Sequence, residues 1–277
     1  MTTWKSFLTR AASALVALAI IFALYYFLKI TGLKIIIAIA VVLGAWELLG
    51  ILFKSESSNT LKGAFFIASL LVFFVSTMAL NLGAIFFALS LIVLTIISLL
   101  QLNKTGDLQR MTRFQAHSAL GLIYIGLLPS FAYRLLDQEQ GLGWFIFLLA
   151  VVFAGDTMAY CFGVLIGKHK VMPTVSPKKT WEGSVGGIVG SVIAGLLCWK
   201  FLLPEHTWYF ILGLAAVSGF VGQFGDFFES LLKRVADVKD SGKIMPGHGG
   251  VLDRIDGVLF ASPVVLLGVV ILSHLLS

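Results

Sequence analysis

Charge is scarce in this chain. Only 12% of its 277 residues are Asp, Glu, Lys or Arg, against about 25% in an average soluble domain. That shortage argues against a soluble enzyme wetted on all sides. Cysteine is scarcer still. Cys161 and Cys198 both sit inside apolar runs and form no C-x-x-C pair, which excludes a disulfide scaffold and gives a zinc ribbon or redox motif no support. Disorder is excluded by what is abundant: 58% of the residues are hydrophobic and the mean hydropathy is +0.98.

The apolar residues fall into nine stretches, at 11–31, 34–53, 61–80, 82–102, 116–136, 143–167, 184–203, 208–228 and 257–276. Each approaches the ~20 residues an α-helix needs to cross a bilayer. The expected fold is therefore an all-α polytopic integral membrane protein with about nine transmembrane helices. Eight or ten spans also fit, because Asn81-Leu82-Gly83 makes a very tight turn. A transmembrane barrel would need short alternating segments, and runs such as 91–100 do not alternate. The first stretch follows Lys5 and Arg10 as in a signal peptide, but it is longer than such a core and no small-x-small site follows. It reads as the first span. Two regions are expected: 1–115, with about four spans, and 116–277, with about five spans and the catalytic loops.

Numbering the loops alternately places sixteen of the 20 Lys and Arg on one side and four on the other. The positive-inside bias then puts the N-terminus in the cytoplasm and the C-terminus outside. The same bias explains the net charge of +6, so no nucleic-acid partner is implied. The two longest loops, 168–183 and 229–256, are both cytoplasmic in this reading.

Three constellations carry chemistry. Gly225-Asp226-x2-Glu229-Ser230 puts a carboxylate near membrane depth, where an ionisable group is a functional candidate by default. Pro246-Gly247-His248-Gly249-Gly250 is a glycine-rich turn ahead of a helix start, whose N–H groups suit phosphate oxygens. Asp253 and Asp256 follow it at i and i+3, on one helical face. Paired carboxylates repel unless a cation lies between them, and Mg²⁺ takes one or two carboxylates plus substrate phosphates. The other long loop offers Ser176, Lys178, Lys179 and Thr180 as phosphate contacts and Trp181 as a stacking surface. Asp156 and Tyr160 lie upstream within a span, facing the bundle interior. Blander readings hold elsewhere: the run at Lys233, Arg234, Lys239 and Asp240 also fits a solvated flank, and Glu47 fits either an internal pair or a span that starts later. Gly183, Gly187, Gly190 and Gly195 permit close helix packing, within one chain or in a homodimer.

The stretch Ser230-x2-Lys233-Arg234-x4-Lys239-Asp240-x-Gly242-x3-Pro246-x-His248-Gly249-Gly250-x2-Asp253-Arg254-x-Asp256 resembles the signature of CDP-diacylglycerol synthases (phosphatidate cytidylyltransferases) nearly position by position. The segments 156–160 and 176–183 resemble other blocks of that family. Met245 and Val164 depart from it; the latter stands where members commonly carry Arg or Lys. The resemblance implies a nucleotidyltransferase that joins CTP to phosphatidic acid, with Mg²⁺, alone or with a second cation. It implies catalytic roles for Asp226, Lys239, Asp240, His248, Asp253 and Arg254. It implies metal roles for Asp226, Asp253 and Asp256. It implies substrate contacts from Asp156, Tyr160, Ser176, Lys178, Lys179, Thr180, Glu182, Lys233, Arg234, Gly249 and Gly250. Lys178 and Lys179 are expected on CTP, Lys233 and Arg234 on the lipid phosphate. A CTP-dependent lipid or polyprenol kinase is the nearest alternative, and a secondary transporter the alternative from another class. The pattern of CDP-alcohol phosphotransferases is absent.

Overall fold

In hydrocarbon a backbone must satisfy its own N–H and C=O groups, so apolar stretches of this length fold as helices. The structure, a computed structural model, describes residues 3–54, 56, 58–244 and 249–276. Among these, eight helical stretches are long and apolar enough to cross a membrane. A further helix, α1 (Thr3–Leu28), adds the shorter apolar segment Leu18–Leu28. The chain is an all-α polytopic membrane protein, with a span count near the nine expected. It divides into two compact units, Met1–Ser130 with Ala236–Arg254 and Phe131–Val235 with Ile255–Ser277.

In the first unit, α1 is followed by α2 (Ile30–Leu52), α3 (Asn59–Met78), α4 (Leu80–Thr105) and α5 (Leu108–Gly121). Single residues make two of the turns. Lys29, at φ 52°, separates α1 from α2, and extended Ala79 separates α3 from α4. The α3–α4 turn thus lies just before the expected Asn81-Leu82-Gly83. Gly83 instead sits within α4 against Ser76, where a Cβ would lie 2.9 Å from the Ser76 Cα. Helix starts are capped as their sequences dictate: Ser58 Oγ accepts from Leu61 N–H at 3.3 Å, and Asp107 from Arg110 N–H at 2.9 Å. Leu48, Phe53, Phe65 and Phe114 are buried, with Phe53 packed on Phe65 at 4.9 Å and on Phe114 at 5.2 Å between ring centres. Buried Glu56 pairs with Arg110, whose Nε donates at 3.0 Å. α5 continues through a π-helical turn, Leu122–Leu127, into α6 (Leu128–Leu135). The division expected at 115/116 falls inside this continuous helix.

The second unit is built on α7 (Gly141–Leu165), a hairpin of β1 (Lys170–Met172) and β2 (Ser176–Thr180), α8 (Trp181–Leu202), α9 (Trp208–Val235) and most of α10 (Leu252–Leu276). The hairpin is antiparallel, with Lys170 opposite Thr180 and Met172 opposite Ser176. The buried face of α8 is almost all small: Gly183, Gly186, Gly187, Gly190, Ser191, Ala194 and Gly195. It is closed by α7 and α9. A Cβ on Gly190 would lie 2.6 Å from Met158 Cβ, and one on Gly195 2.5 Å from Ala215 Cβ. The glycine stripe therefore serves packing within the unit, and a homodimer would have to use another face.

Candidate active site

The second unit holds a cavity of about 430 Å³ whose lining includes Asp156, Tyr160 and Val164 of α7, Lys170, Lys178, Lys179 and Thr180 of the hairpin, and Gln223, Asp226 and Phe227 of α9. The hairpin is what brings lysines there. Its base is fixed to α8 by Glu182, whose carboxylate accepts from Lys168 N–H (3.1 Å) and His169 N–H (3.2 Å) and meets His169 Nδ1 at 2.6 Å. Thr180 caps α8, its Oγ1 accepting from Gly183 N–H at 3.1 Å. Glu182 and Ser176 are thus part of the hairpin's frame, and neither is among the residues lining the cavity.

Lys179 and Asp226 form the polar centre. The Lys179 Nζ lies 2.5 Å from Asp226 Oδ2 and 4.0 Å above the centre of the Phe227 ring. Ion pair and ring face together hold the ammonium in place. Ser230 Oγ donates to Asp226 Oδ1 at 3.4 Å. Gln223, which belongs to no motif singled out in the sequence, donates from Nε2 to Ser184 O at 3.0 Å and joins α9 to α8 within the lining. Its only sequence signal is an amide one turn before Asp226.

The apolar stretch expected for the eighth span ends at 228. The helix runs on to Val235, which places Lys233 and Arg234 on α9 rather than in a loop. Lys233 Nζ lies 2.6 Å from Glu229 Oε2, and Glu229 is only 1% exposed. Arg234 Nε donates to Val175 O in the hairpin turn at 3.4 Å. Both cations expected on a lipid phosphate therefore make contacts within the protein.

Asp256 is 8% exposed and accepts from Gly257 N–H at 2.8 Å. Its backbone packs on Gly225, where a Cβ would come within 2.9 Å of the Asp256 carbonyl carbon. Asp226, Asp156 and Lys179 all act on it electrostatically. Among the described residues no three Asp, Glu, His or Cys side chains form a ready metal cage. The donors fit a cation that brings its own phosphate ligands: two hard carboxylates, one already matched by an ammonium.

The remaining signature residues belong to the first unit. Asp253 lies in the first turn of α10, and its Oδ2 accepts from Ser241 N–H (3.0 Å), Ser241 Oγ (2.8 Å) and Gly250 N–H (2.8 Å). The next two N–H groups, of Val251 and Leu252, donate to Glu47 of α2 at 3.0 and 2.9 Å. The anion at this helix start is thus a protein carboxylate from about 200 residues away. Gly249 has φ 85°, and a Cβ there would lie 2.7 Å from Asp253 Oδ2. Lys239, Asp240 and Arg254 are exposed. His248 and Met245 lie outside the described residues. Val164 is exposed on the cavity wall, which also carries Lys170.

The sequence is similar to those of several known proteins. It is 41% identical over 148 residues to the phosphatidate cytidylyltransferase of Staphylococcus saprophyticus subsp. saprophyticus, covering 53% of this chain and 56% of that one. It is 42% identical over 149 residues to that of Staphylococcus epidermidis and 39% over 148 residues to that of Staphylococcus aureus, with the same shares. The chain thus spans about half the length of the curated relatives it matches. The family model described as the cytidylyltransferase family matches residues 8–272. By that match, over nearly its whole length, the chain belongs to the cytidylyltransferase family.

Proposed function

We propose that the chain is a phosphatidate cytidylyltransferase, which converts CTP and phosphatidic acid to CDP-diacylglycerol and pyrophosphate in phospholipid synthesis. The cavity that joins Lys170, Lys178 and Lys179 to Asp156 and Asp226 on membrane-spanning helices carries this reading. The names of the similar staphylococcal proteins support it. So does the character of the wall. Exposed Tyr160 and Val164 give it an apolar lip, and the hairpin lysines give it a cationic floor. An amphiphile with a phosphate head and a soluble polyanion suit those two surfaces. The sixteen-to-four division of Lys and Arg supports a cytoplasmic site.

The chemistry asks little of a base. The second pKa of a phosphomonoester is about 6, so phosphatidate already carries its nucleophilic oxygen at neutral pH. That oxygen bonds to the α-phosphorus of CTP while the bond to the bridging oxygen of the β-phosphate breaks, and the electron pair leaves with pyrophosphate. Lys178 and Lys179 offset the charge of the triphosphate. Lys179 gives up Asp226 as it does so, and the Phe227 ring continues to hold its ammonium on this wall. Asp226 and Asp256 would hold Mg²⁺, which when bound supplies positive charge against the α-phosphate and the leaving group. Asp253, held by Ser241 and Gly250 at the head of α10, keeps the catalytic role that the sequence implies for it and also orders the loop ahead of that helix.

Purified protein in phosphatidate vesicles, given each nucleoside triphosphate with Mg²⁺, tests the reading. CTP should release pyrophosphate and form CDP-lipid. Equal use of ATP and GTP, or solute uptake without product, would contradict it.

A further inference from the structure

Two residues of α2 and its C-terminal flank hold both ends of the loop that carries the signature. At its start, Lys54 Nζ donates to Ala236 O at 2.7 Å and to Asp237 O at 3.4 Å. These carbonyls follow the last residue of α9, where a helix leaves acceptors unsatisfied and favours a cation. At its end, Glu47 Oε1 accepts from Val251 N–H and Oε2 from Leu252 N–H, at 3.0 and 2.9 Å. These are donors of the α10 start, where an anion is favoured. Glu47 is 4% exposed inside a membrane span. A carboxylate buried there is tolerable because donors surround it. Ser241 Oγ is a third, at 3.2 Å.

The glycines of the signature follow from this carboxylate. A Cβ on Gly242 would lie 2.7 Å from Glu47 Cδ, and one on Gly250 would lie 2.6 Å from the same atom. Those two positions admit glycine because Glu47 fills the space. Ser241 links this anchor to Asp253. Its hydroxyl has one proton and lies between two carboxylates, 3.2 Å from Glu47 Oε2 and 2.8 Å from Asp253 Oδ2. Glu47 lies within α2, and Lys54 stands two residues past its last residue, Leu52.

We infer that Glu47 and Lys54 are positioning residues: α2 and its flank grip the 236–251 loop at both ends and, through Ser241, set the placement of the Asp253 carboxylate. The catalytic consequence rests on the cytidylyltransferase reading; the grip itself does not. Placement that matters only as charge develops should appear in kcat. Glu47→Gln keeps the volume but turns an amide toward N–H donors. It should lower kcat roughly tenfold to a hundredfold, with both KM values within about twofold. Glu47→Asp keeps the charge and should retain more activity than Glu47→Gln. Lys54→Met should lower kcat several-fold in the same manner.

Amide hydrogen exchange on the protein in lipid gives a readout without substrate. In Glu47→Gln, exchange at residues 250–252 should accelerate about tenfold or more, while α7 and α8 keep wild-type protection. Trp46→Ala, on the exposed face of α2, should change neither. If Glu47→Gln cannot be purified, the same exchange measurement on Glu47→Asp and Lys54→Met decides: wild-type protection in both would overturn the grip. Wild-type kcat in Glu47→Gln, or more activity there than in Glu47→Asp, would reduce Glu47 to packing and overturn the positioning role. A wild-type protein that makes no CDP-lipid but shows the predicted exchange would remove the activity reading and leave the grip standing.

Discussion

Asp226 and Lys178 should respond to substitution in different kinetic constants. Asp226 meets the Lys179 ammonium at 2.5 Å on the cavity wall. If Asp226 serves a cation in the transition state, Asp226→Asn should lower kcat by roughly 100-fold or more at saturating Mg²⁺. Lys178 is exposed, next to the paired lysine. Its loss should raise the KM for CTP several-fold with kcat little changed, as expected for uniform binding. Steady-state kinetics with each substrate varied checks both, and a near-normal kcat in Asp226→Asn would remove it from the metal. Asp226 is legible in the sequence, because a carboxylate near the end of an apolar span is conspicuous; the ammonium beside it is not. Other residues are illegible for a physical reason. A helix start accepts an anion from anywhere in the chain. The sequence offers the N–H groups at Gly250 to a substrate phosphate, but only tertiary structure shows that Asp253 and Glu47 take the donors of that turn. Lys233 likewise reads as a flank until buried Glu229 is seen beside it.

At the scale of elements, hydropathy locates the spans and misplaces their ends. It senses hydrocarbon, whereas a helix continues as long as its backbone bonds do. Hence α9 runs seven residues past 228, and α10 starts at Leu252 rather than 257. The hairpin leaves no periodic signal because Lys170–Met172 is too short to alternate and Ser176–Thr180 carries no apolar alternation. The packing of α8 yields a sharper expectation. A Cβ on Gly190 would lie 2.8 Å from the Ala154 carbonyl oxygen, which is backbone and cannot swing aside. Gly190→Ala should therefore destabilise by roughly 1–3 kcal/mol. Gly213 has nothing within 4 Å of its Cβ position, so Gly213→Ala should stabilise by roughly 0.5–1 kcal/mol. Thermal unfolding in detergent should move the two Tm values in opposite directions; equal shifts would show that α8 does not pack on α7 as described.

At the scale of the whole molecule, the proposed reaction brings an aqueous nucleotide to a polytopic membrane protein. On the Lys and Arg division the N-terminus and both long connections are expected in the cytoplasm, and a reporter placed after Ser277 should score as extracytoplasmic. Cytoplasmic activity there would remove the odd span count and the assignment of the site's face. The central claim is that phosphatidate takes the α-phosphoryl group of CTP. It is tested most directly with CTP labelled at either the α- or the γ-phosphate, supplied with Mg²⁺ to the protein in phosphatidate vesicles. The proposed reaction puts the α-label in the lipid, matched one to one by pyrophosphate that carries all of the γ-label. Transfer of γ-label to lipid with release of CDP would contradict it and make the protein a lipid kinase.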